Sequence, residues 1–345
     1  MQRSQLKIAT IGAWGHLGRV LGEIDQAPQF RVCAMAKALP DEDPRESYGR
    51  NHACAADAAH FDDHRHMLHA IDPDVVIIST RPDRIVPLAI EAAEQGRHLI
   101  CEKPLALDHV TLKKLWDTCF ARGVQCVAIL NNHVHPVIAA AREAVRTGRI
   151  GTVAIVNARK SYKWANRPSW FGRRENYGGT IPWIGIHALD FIYSITDQTF
   201  TSVAAMHSNV AHASHPQCED NAALALRLSG GGHATASLDL LRPAAAETHG
   251  DDWFRVVGSR GMIEGNMMRK TCTLITDQQP AHDLPLGPLN PTFTPLLREI
   301  DEEIVSPEPS HEMRRAFMLT HVALVARDAA DRGAVLPIHP EAWSL

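Results

Sequence analysis

A carboxylate and a cation stand side by side where an apolar run stops. In Leu99-Ile100-Cys101-Glu102-Lys103-Pro104 the first three residues read as a short buried strand, which Glu102 and Lys103 break before Pro104 turns the chain. At the carboxyl end of a strand in an open parallel sheet, where ligands gather, a lysine reaches a bound molecule. A second polar group interrupts the apolar stretch Gly178 to Asp190, which carries one histidine, His187, and closes on Asp190. Three apart on a helix, His187 and Asp190 are neighbours on one face. A carboxylate beside an imidazole fixes its tautomer and raises its basicity. Taken alone, the first stretch is equally a surface turn and the second a buried polar pair, so the elements that position them decide.

Those elements alternate through the first half of the chain. Lys7 to Ile11 is a buried strand running into Gly12-Ala13-Trp14-Gly15-His16-Leu17-Gly18, a helix follows to Ile24, and Phe30 to Ala36 is a second strand. Glycines in such a turn bring backbone N–H groups up to a pyrophosphate at the helix N-terminus. The spacing, Gly-x-x-Gly-x-x-Gly, is one residue longer than the usual fingerprint. Val75 to Ser79 is a continuous apolar strand. A helix over Arg84 to Gln95 closes at Gly96, the strand ending at Glu102 comes next, Asp108 caps a helix to about Ala121, and Val124 to Leu130 is the sixth strand. Strand and helix in turn predict a doubly wound parallel α/β domain over 1–130. An acidic residue after the second strand would bind the adenosine ribose. Here Lys37 stands there and suits a 2′-phosphate, which favours NADP over NAD, while Asp41 and Glu42 follow closely and offer the other role.

From Thr152 the texture changes. After an amphipathic helix over Pro136 to Thr147, longer runs alternate polar with apolar: Val153 to Trp164, Ser202 to Ala211, Ala222 to Leu228, His233 to Leu241 and Thr271 to Thr276. Val256-Val257 and Met262-Ile263 flank a turn at Gly258-Ser259-Arg260-Gly261, and helices close the chain near Pro295 to Ile304 and His311 to Arg332. Such alternation predicts a large, open, mainly antiparallel sheet with one solvated or interface face. The second domain is read as 131–345.

With 345 residues, 45% apolar, the chain has room for two cores. No apolar run approaches the ~18 residues that span a bilayer, and the first strand begins too early to leave room for a signal peptide. A cytoplasmic protein is expected. The net charge of -4, with no basic stripe, speaks against nucleic acid. The seven cysteines are scattered and form no Cys-x-x-Cys pair, so they read as buried reduced thiols. Twenty histidines raise the question of a metal. His60 and His64 have helical spacing, and His133 and His135 share a face if extended and would need His187 to complete a site. A solvated face and no metal are expected.

The markers together resemble the glucose–fructose oxidoreductase, inositol dehydrogenase and MocA (Gfo/Idh/MocA) family. They are the glycine turn, Ser79-Thr80-Arg81-Pro82-Asp83, Glu102-Lys103-Pro104, the Gly-x-His-x-x-Asp run at Gly185 to Asp190, and Val257-Gly258-Ser259-Arg260-Gly261-Met262-Ile263-Glu264. The resemblance covers nearly the whole chain. It implies an N-terminal Rossmann domain and a C-terminal domain built on an open sheet, whose face makes a homodimer or homotetramer. The last helix returns toward the first domain. It also implies hydride transfer between a nicotinamide and a secondary alcohol or ketone of a sugar, polyol or related small molecule. Lys103 and His187 match the family's catalytic positions. Cofactor contacts fall to Gly12, Trp14, Gly15, His16, Leu17, Lys37, Ser79, Thr80, Arg81, Glu102, Lys103 and Asn131. Substrate contacts fall to Lys103, His187, Trp183, Trp170, Arg173 and Tyr177.

Two departures bear on the substrate. Trp183 stands four residues before the histidine, where the family often has aspartate, and Val86 stands where many relatives have histidine. Tryptophan accepts no proton and packs instead against a ring face. The loop Trp164 to Tyr177 is placed to close over the pocket, and its arginines suit a carboxylate, phosphate or polyol. Two other readings stay open: a glycosidase that retains NAD, and a non-catalytic nicotinamide- or sugar-binding protein.

Overall fold

The computed structural model describes residues 5–344. The chain divides into two compact units, Met1–Ile129 with Pro291–Phe317 and Trp343–Leu345, and Leu130–Asn290 with Met318–Ala342.

The first unit opens with β1 (Ile8–Ile11), α1 (Leu17–Asp25), β2 (Val32–Ala36), β3 (Ala59–Phe61), α2 (His64–Ile71), β4 (Val75–Ile78), α3 (Pro82–Glu94), β5 (His98–Cys101), α4 (His109–Arg122) and β6 (Cys126–Ala128). β1 and β4 are buried at every position, as strands covered on both faces must be. The described strands run parallel in the order β3-β2-β1-β4-β5-β6. Chain order therefore reverses between β1 and β4, where doubly wound sheets bind nucleotides. The helix ends follow their capping residues. Asp108 accepts a hydrogen bond from the Thr111 N–H at 2.8 Å, and Gly123 closes α4 in the left-handed conformation. α3 begins at Pro82, earlier than the expected Arg84, because proline's fixed φ suits the first helical position.

The third strand is the element the sequence does not place. It has three residues, lies at the sheet edge and is mostly exposed. His60 sits on it, whereas His64 opens α2 and meets Glu91 at 3.2 Å. The two histidines therefore share no helix face. Among the described residues no group of His, Cys, Asp and Glu is placed to hold a metal.

The second unit contains α5 (Pro136–Arg146), β7 (Val153–Tyr162), α6 (Arg174–Tyr177), α7 (Ile186–Thr196), β8 (Phe200–Ser208), β9 (Asn221–Leu228), β10 (His233–Asp239), β11 (Gly250–Gly258), β12 (Gly261–Asn266), β13 (Thr271–Thr276) and β14 (Gln279–Asp283). α8 (Thr294–Asp301) belongs to the first unit, and α9 (His311–Arg332) precedes the short β15 (Leu336–Pro337). The sheet order is β14-β13-β12-β11-β7-β10-β9-β8-β15. Neighbours are antiparallel except β7 and β10, which run parallel. β9 and β10 alternate strictly between buried and exposed positions. Their inner residues, among them Leu224, Leu226, Ala236 and Leu238, are covered. α5 and α7 pack on this sheet. α7 is buried along its whole length because it is apolar on every side apart from a few paired polar groups.

The chain's return completes the first core. Phe293, Leu296, Leu297 and Ile300 join the cluster that holds Leu17, Leu21, Val127 and Ile129. The Glu23 carboxylate accepts hydrogen bonds from the N–H groups of Thr292 at 2.9 Å and Phe293 at 2.8 Å. Six of the seven cysteines are buried, Cys33 is partly covered, and all are free. Among the described residues no helix is long and apolar enough to cross a membrane.

Candidate active site

In the first unit the glycine turn is fastened to the ends of β4 and β5. Gly12 has φ +88, and a Cβ there would lie 2.5 Å from the Ser79 carbonyl oxygen. Trp14 N–H donates to that carbonyl at 2.9 Å, and the Ser79 hydroxyl donates back to the Trp14 carbonyl at 2.6 Å. Gly15 has φ +98, and a Cβ there would lie 2.4 Å from Oε2 of Glu102. Both positions therefore exclude any other residue for want of space as well as conformation.

Glu102 is the centre of this arrangement. It is fully buried, and its carboxylate accepts hydrogen bonds from the His16 N–H at 2.6 Å, the His16 ring at 2.9 Å and the Lys103 N–H at 3.0 Å. Burial alone would push its carboxyl up. The charges and hydrogen bonds of His16, together with Lys103, outweigh that and hold it below the usual carboxylate range. Lys103 itself is 1% exposed and follows directly, ahead of a cis peptide to Pro104. The sequence marks Glu102 and Lys103 as a pair but gives no sign that Glu102 grips the first turn.

The dinucleotide's fit can be judged at two places. Leu17 and Gly18 open α1, where first-turn N–H groups have no acceptor within the helix. Beyond β2, Glu42 accepts the Thr80 hydroxyl at 2.6 Å through Oε1, while its Oε2 is buried with no partner among the described residues. Burial pushes the Glu42 carboxyl up, and the Thr80 hydroxyl and the backbone of Ala38 and Leu39 partly offset it. A buried carboxylate oxygen needing a donor suits a ribose hydroxyl. Lys37, the residue that suggested a 2′-phosphate, is paired with Asp62 at 2.7 Å, and Asp43 adds to the field around it. Arg81 is held by Asp83 in a two-pronged contact at 2.6 and 2.8 Å.

In the second unit Asn131 precedes a single 3-10 turn over Asn132–Val134, which turns the chain into α5. His133 and His135 are therefore not on an extended segment. The His133 ring donates to the Leu130 carbonyl at 3.2 Å, and the His135 ring accepts from the Val137 N–H at 3.3 Å. The same turn supplies a residue the sequence reading missed. The Asn132 amide donates to Nδ1 of His187 at 2.8 Å. The expected carboxylate, Asp190, accepts the Ser194 hydroxyl at 3.0 Å. His187 and Asp190 do share α7, but the partner on Nδ1 is an amide from another element, which helical spacing cannot reveal. Val86 is buried in α3 of the first unit.

The stretch from Trp164 to Tyr177 is more ordered than a loop, with a 3-10 turn at Ser169–Gly172 followed by α6. Tyr177 is fully buried, and its hydroxyl donates to Glu219 at 2.7 Å. Burial and the Glu219 charge push that phenol far up, and Tyr177 braces the stretch from inside. Trp183 is 4% exposed and lies edge-on to Phe171, 5.7 Å between ring centres. Trp170 stacks on Phe171 at 4.4 Å, and Arg173 is exposed beside Glu175. A π-helical turn at Ile181–Gly185 carries Trp183 and leads into α7. The buried pair Lys160 and Asp252, 2.5 Å apart, also went unread, since it joins β7 to β11 across the sheet.

Comparison with known proteins agrees with this architecture. Residues 6–130 match the model of an oxidoreductase family with an NAD-binding Rossmann fold, and 138–264 match the GFO/IDH/MocA C-terminal domain. A solved structure from Thermotoga maritima, described as an oxidoreductase, is 32% identical with a TM-score of 0.88, over 96% of this chain and all of that one. The D-glucoside 3-dehydrogenase of Escherichia coli is 29% identical over 206 residues, 55% of this chain and 54% of the relative, so the chain spans about half that protein's length. A levoglucosan dehydrogenase solved with NADH shares the fold, with a TM-score of 0.81 and 18% identity over 98% of this chain and all of that one.

Proposed function

The chain belongs to the GFO/IDH/MocA family of oxidoreductases, and from that premise we propose that it moves a hydride between NAD and a secondary alcohol carbon of a sugar or polyol. The observation that carries this reading is the buried Glu102–Lys103 pair, locked to the glycine turn at the end of β5. When bound, the nicotinamide supplies the hydride acceptor or donor at its C4. Gly12, Trp14, Gly15, His16 and Leu17 form the turn that receives the pyrophosphate. Ser79, Thr80 and Arg81 follow β4 beyond it, and Asn131 of the second unit is a further proposed cofactor contact. Lys103 directs its ammonium at the reacting oxygen and stabilises the charge that gathers there. His187 exchanges the hydroxyl proton. The Asn132 amide, donating to Nδ1 at 2.8 Å, holds the ring in place.

Glu42 supports NAD over NADP. Its unpartnered oxygen suits a ribose hydroxyl, and a 2′-phosphate would meet Glu42, Asp43 and Asp62 around a Lys37 already paired. This reverses the inference from Lys37 alone. The matched family models describe oxidoreductases, which sets aside the glycosidase alternative. The exposed face of the nine-stranded sheet is proposed as the contact between copies, to be measured by light scattering.

The test is a titration with NADH and NADPH followed by nicotinamide fluorescence, then a panel of sugars followed by reduced-nicotinamide absorbance. The expected result is tighter NADH binding and turnover that Lys103→Met and His187→Asn abolish. Binding of neither dinucleotide, with none already trapped in the protein, refutes the proposal.

A further inference from the structure

Arg167 in the second unit meets no counter-charge among the described residues. Arg167 is half-buried, and among the described residues no carboxylate or hydrogen-bond acceptor meets it. Its Nε is buried and unpartnered. Its guanidinium lies instead over the rings of Phe171, at 5.0 Å, and Trp164, at 6.0 Å. Acids of the same unit are engaged by other groups. Glu219 serves Arg174 and Tyr177, Asp220 serves His212, Asp252 serves Lys160, and Asp251 serves Arg159. Lys163 donates to the Ala246 carbonyl. Burial pushes the Arg167 guanidinium below its usual range, which Cys218, Tyr162 and Tyr177 offset only in part.

An unpaired, desolvated cation is costly, and one kept against aromatic rings is suited to an anion that arrives with a ligand. Its place in the unit says which ligand. Phe171 beneath Arg167 packs on Trp183, and Trp183 stands four residues before His187, on the same helical face. Aromatic faces suit a sugar ring, and a planar fork suits a carboxylate. A phosphate dianion would want a second free cation, and Lys163 is committed to a carbonyl.

We propose that Arg167 is the specificity residue for a carboxylate on the substrate, so that the preferred substrates are sugar acids. This rests on the sugar oxidoreductase reading and extends it.

The experiment measures binding by calorimetry on the NADH-loaded protein, using D-glucuronate, D-galacturonate and D-mannuronate, each beside its neutral hexose and hexose 6-phosphate. Turnover is read separately. A charge-assisted two-pronged contact corresponds to about 10–100-fold in affinity. At least one uronate is expected to bind that much more tightly than its hexose. Arg167→Met should close the gap, and Arg167→Lys should close it in part. A wild-type protein with no uronate preference in any pair, a preference that survives Arg167→Met, or tighter binding of the phosphate overturns the proposal. Uronate binding that depends on Arg167 without turnover leaves the anion site standing and removes the dehydrogenase reading. Turnover of neutral sugars without uronate preference does the reverse.

Discussion

Replacing Gly15 with alanine tests whether the first turn and Glu102 are one mechanical unit. At φ +98 an L-residue is strained by about 1–2 kcal/mol. The new Cβ would also lie 2.4 Å from Oε2 and 2.9 Å from Cδ of a carboxylate that is fully buried and held by three N–H contacts. One side must yield, and displacing the carboxylate from His16 forfeits a charged hydrogen bond of about 1.5–3 kcal/mol. Together Gly15→Ala should cost about 2.5–5 kcal/mol. In a Glu102→Ala background the clash is gone and only the backbone strain remains, so the two changes should couple by about 1.5–3 kcal/mol. Hydrogen exchange of peptides spanning 8–25, followed through a urea series, reads this turn without averaging over the two units. Additive costs, or a Gly15→Ala protein with unchanged protection, would refute the linkage.

Three further outcomes follow from the same geometry. Glu42→Ala should weaken NADH by about 10–100-fold, the value of a charged hydrogen bond, and NADPH by less, as read by nicotinamide fluorescence. Because the folded Glu102 carboxyl sits below its unfolded value, its stabilisation is whole above about pH 4.3 and is lost as pH falls through the lower folded value. Thermal scans from pH 6 to pH 3 should show a steeper acid limb in the wild type than in Glu102→Gln, and equal limbs would refute the assignment. Asn132→Asp should replace the amide donor beside Nδ1 of His187 with a carboxylate, raise the imidazole's basicity and move the acidic limb of the alcohol-oxidation kcat profile upward. Asn132→Ala should lower kcat about 10-fold or more with NADH affinity kept, and a loss confined to NADH binding would count against Asn132 as a positioning residue.

What the sequence showed depended on how local its cause was. α4 and α9 were legible to within a residue or two because a cap, a periodic face or a terminal glycine lies within their own span. β3 was not, since three mostly exposed residues carry no pattern of their own and are strand only by pairing with β2. The candidate site divides in the same way. Lys103 and His187 stood out as polar breaks in apolar runs. The grip of Glu102 on His16, the amide of Asn132 on His187 and the missing partner of Arg167 join residues far apart in the chain. The bond from Tyr177 to Glu219 was hidden for the same reason, since the two lie 42 residues apart.

The return of Phe293, Leu297 and Ile300 to the first core fixes an order of events during synthesis. A ribosome delivers all six strands of the parallel sheet long before it delivers α8. Until then the nascent chain carries an open apolar socket beside Leu17, Leu21 and Val127, and an unsatisfied carboxylate at Glu23. The whole second sheet emerges while that socket stands empty. The interval is a window for a chaperone, and it means that a fragment cut at residue 130 lacks part of its own interior, however complete its strands.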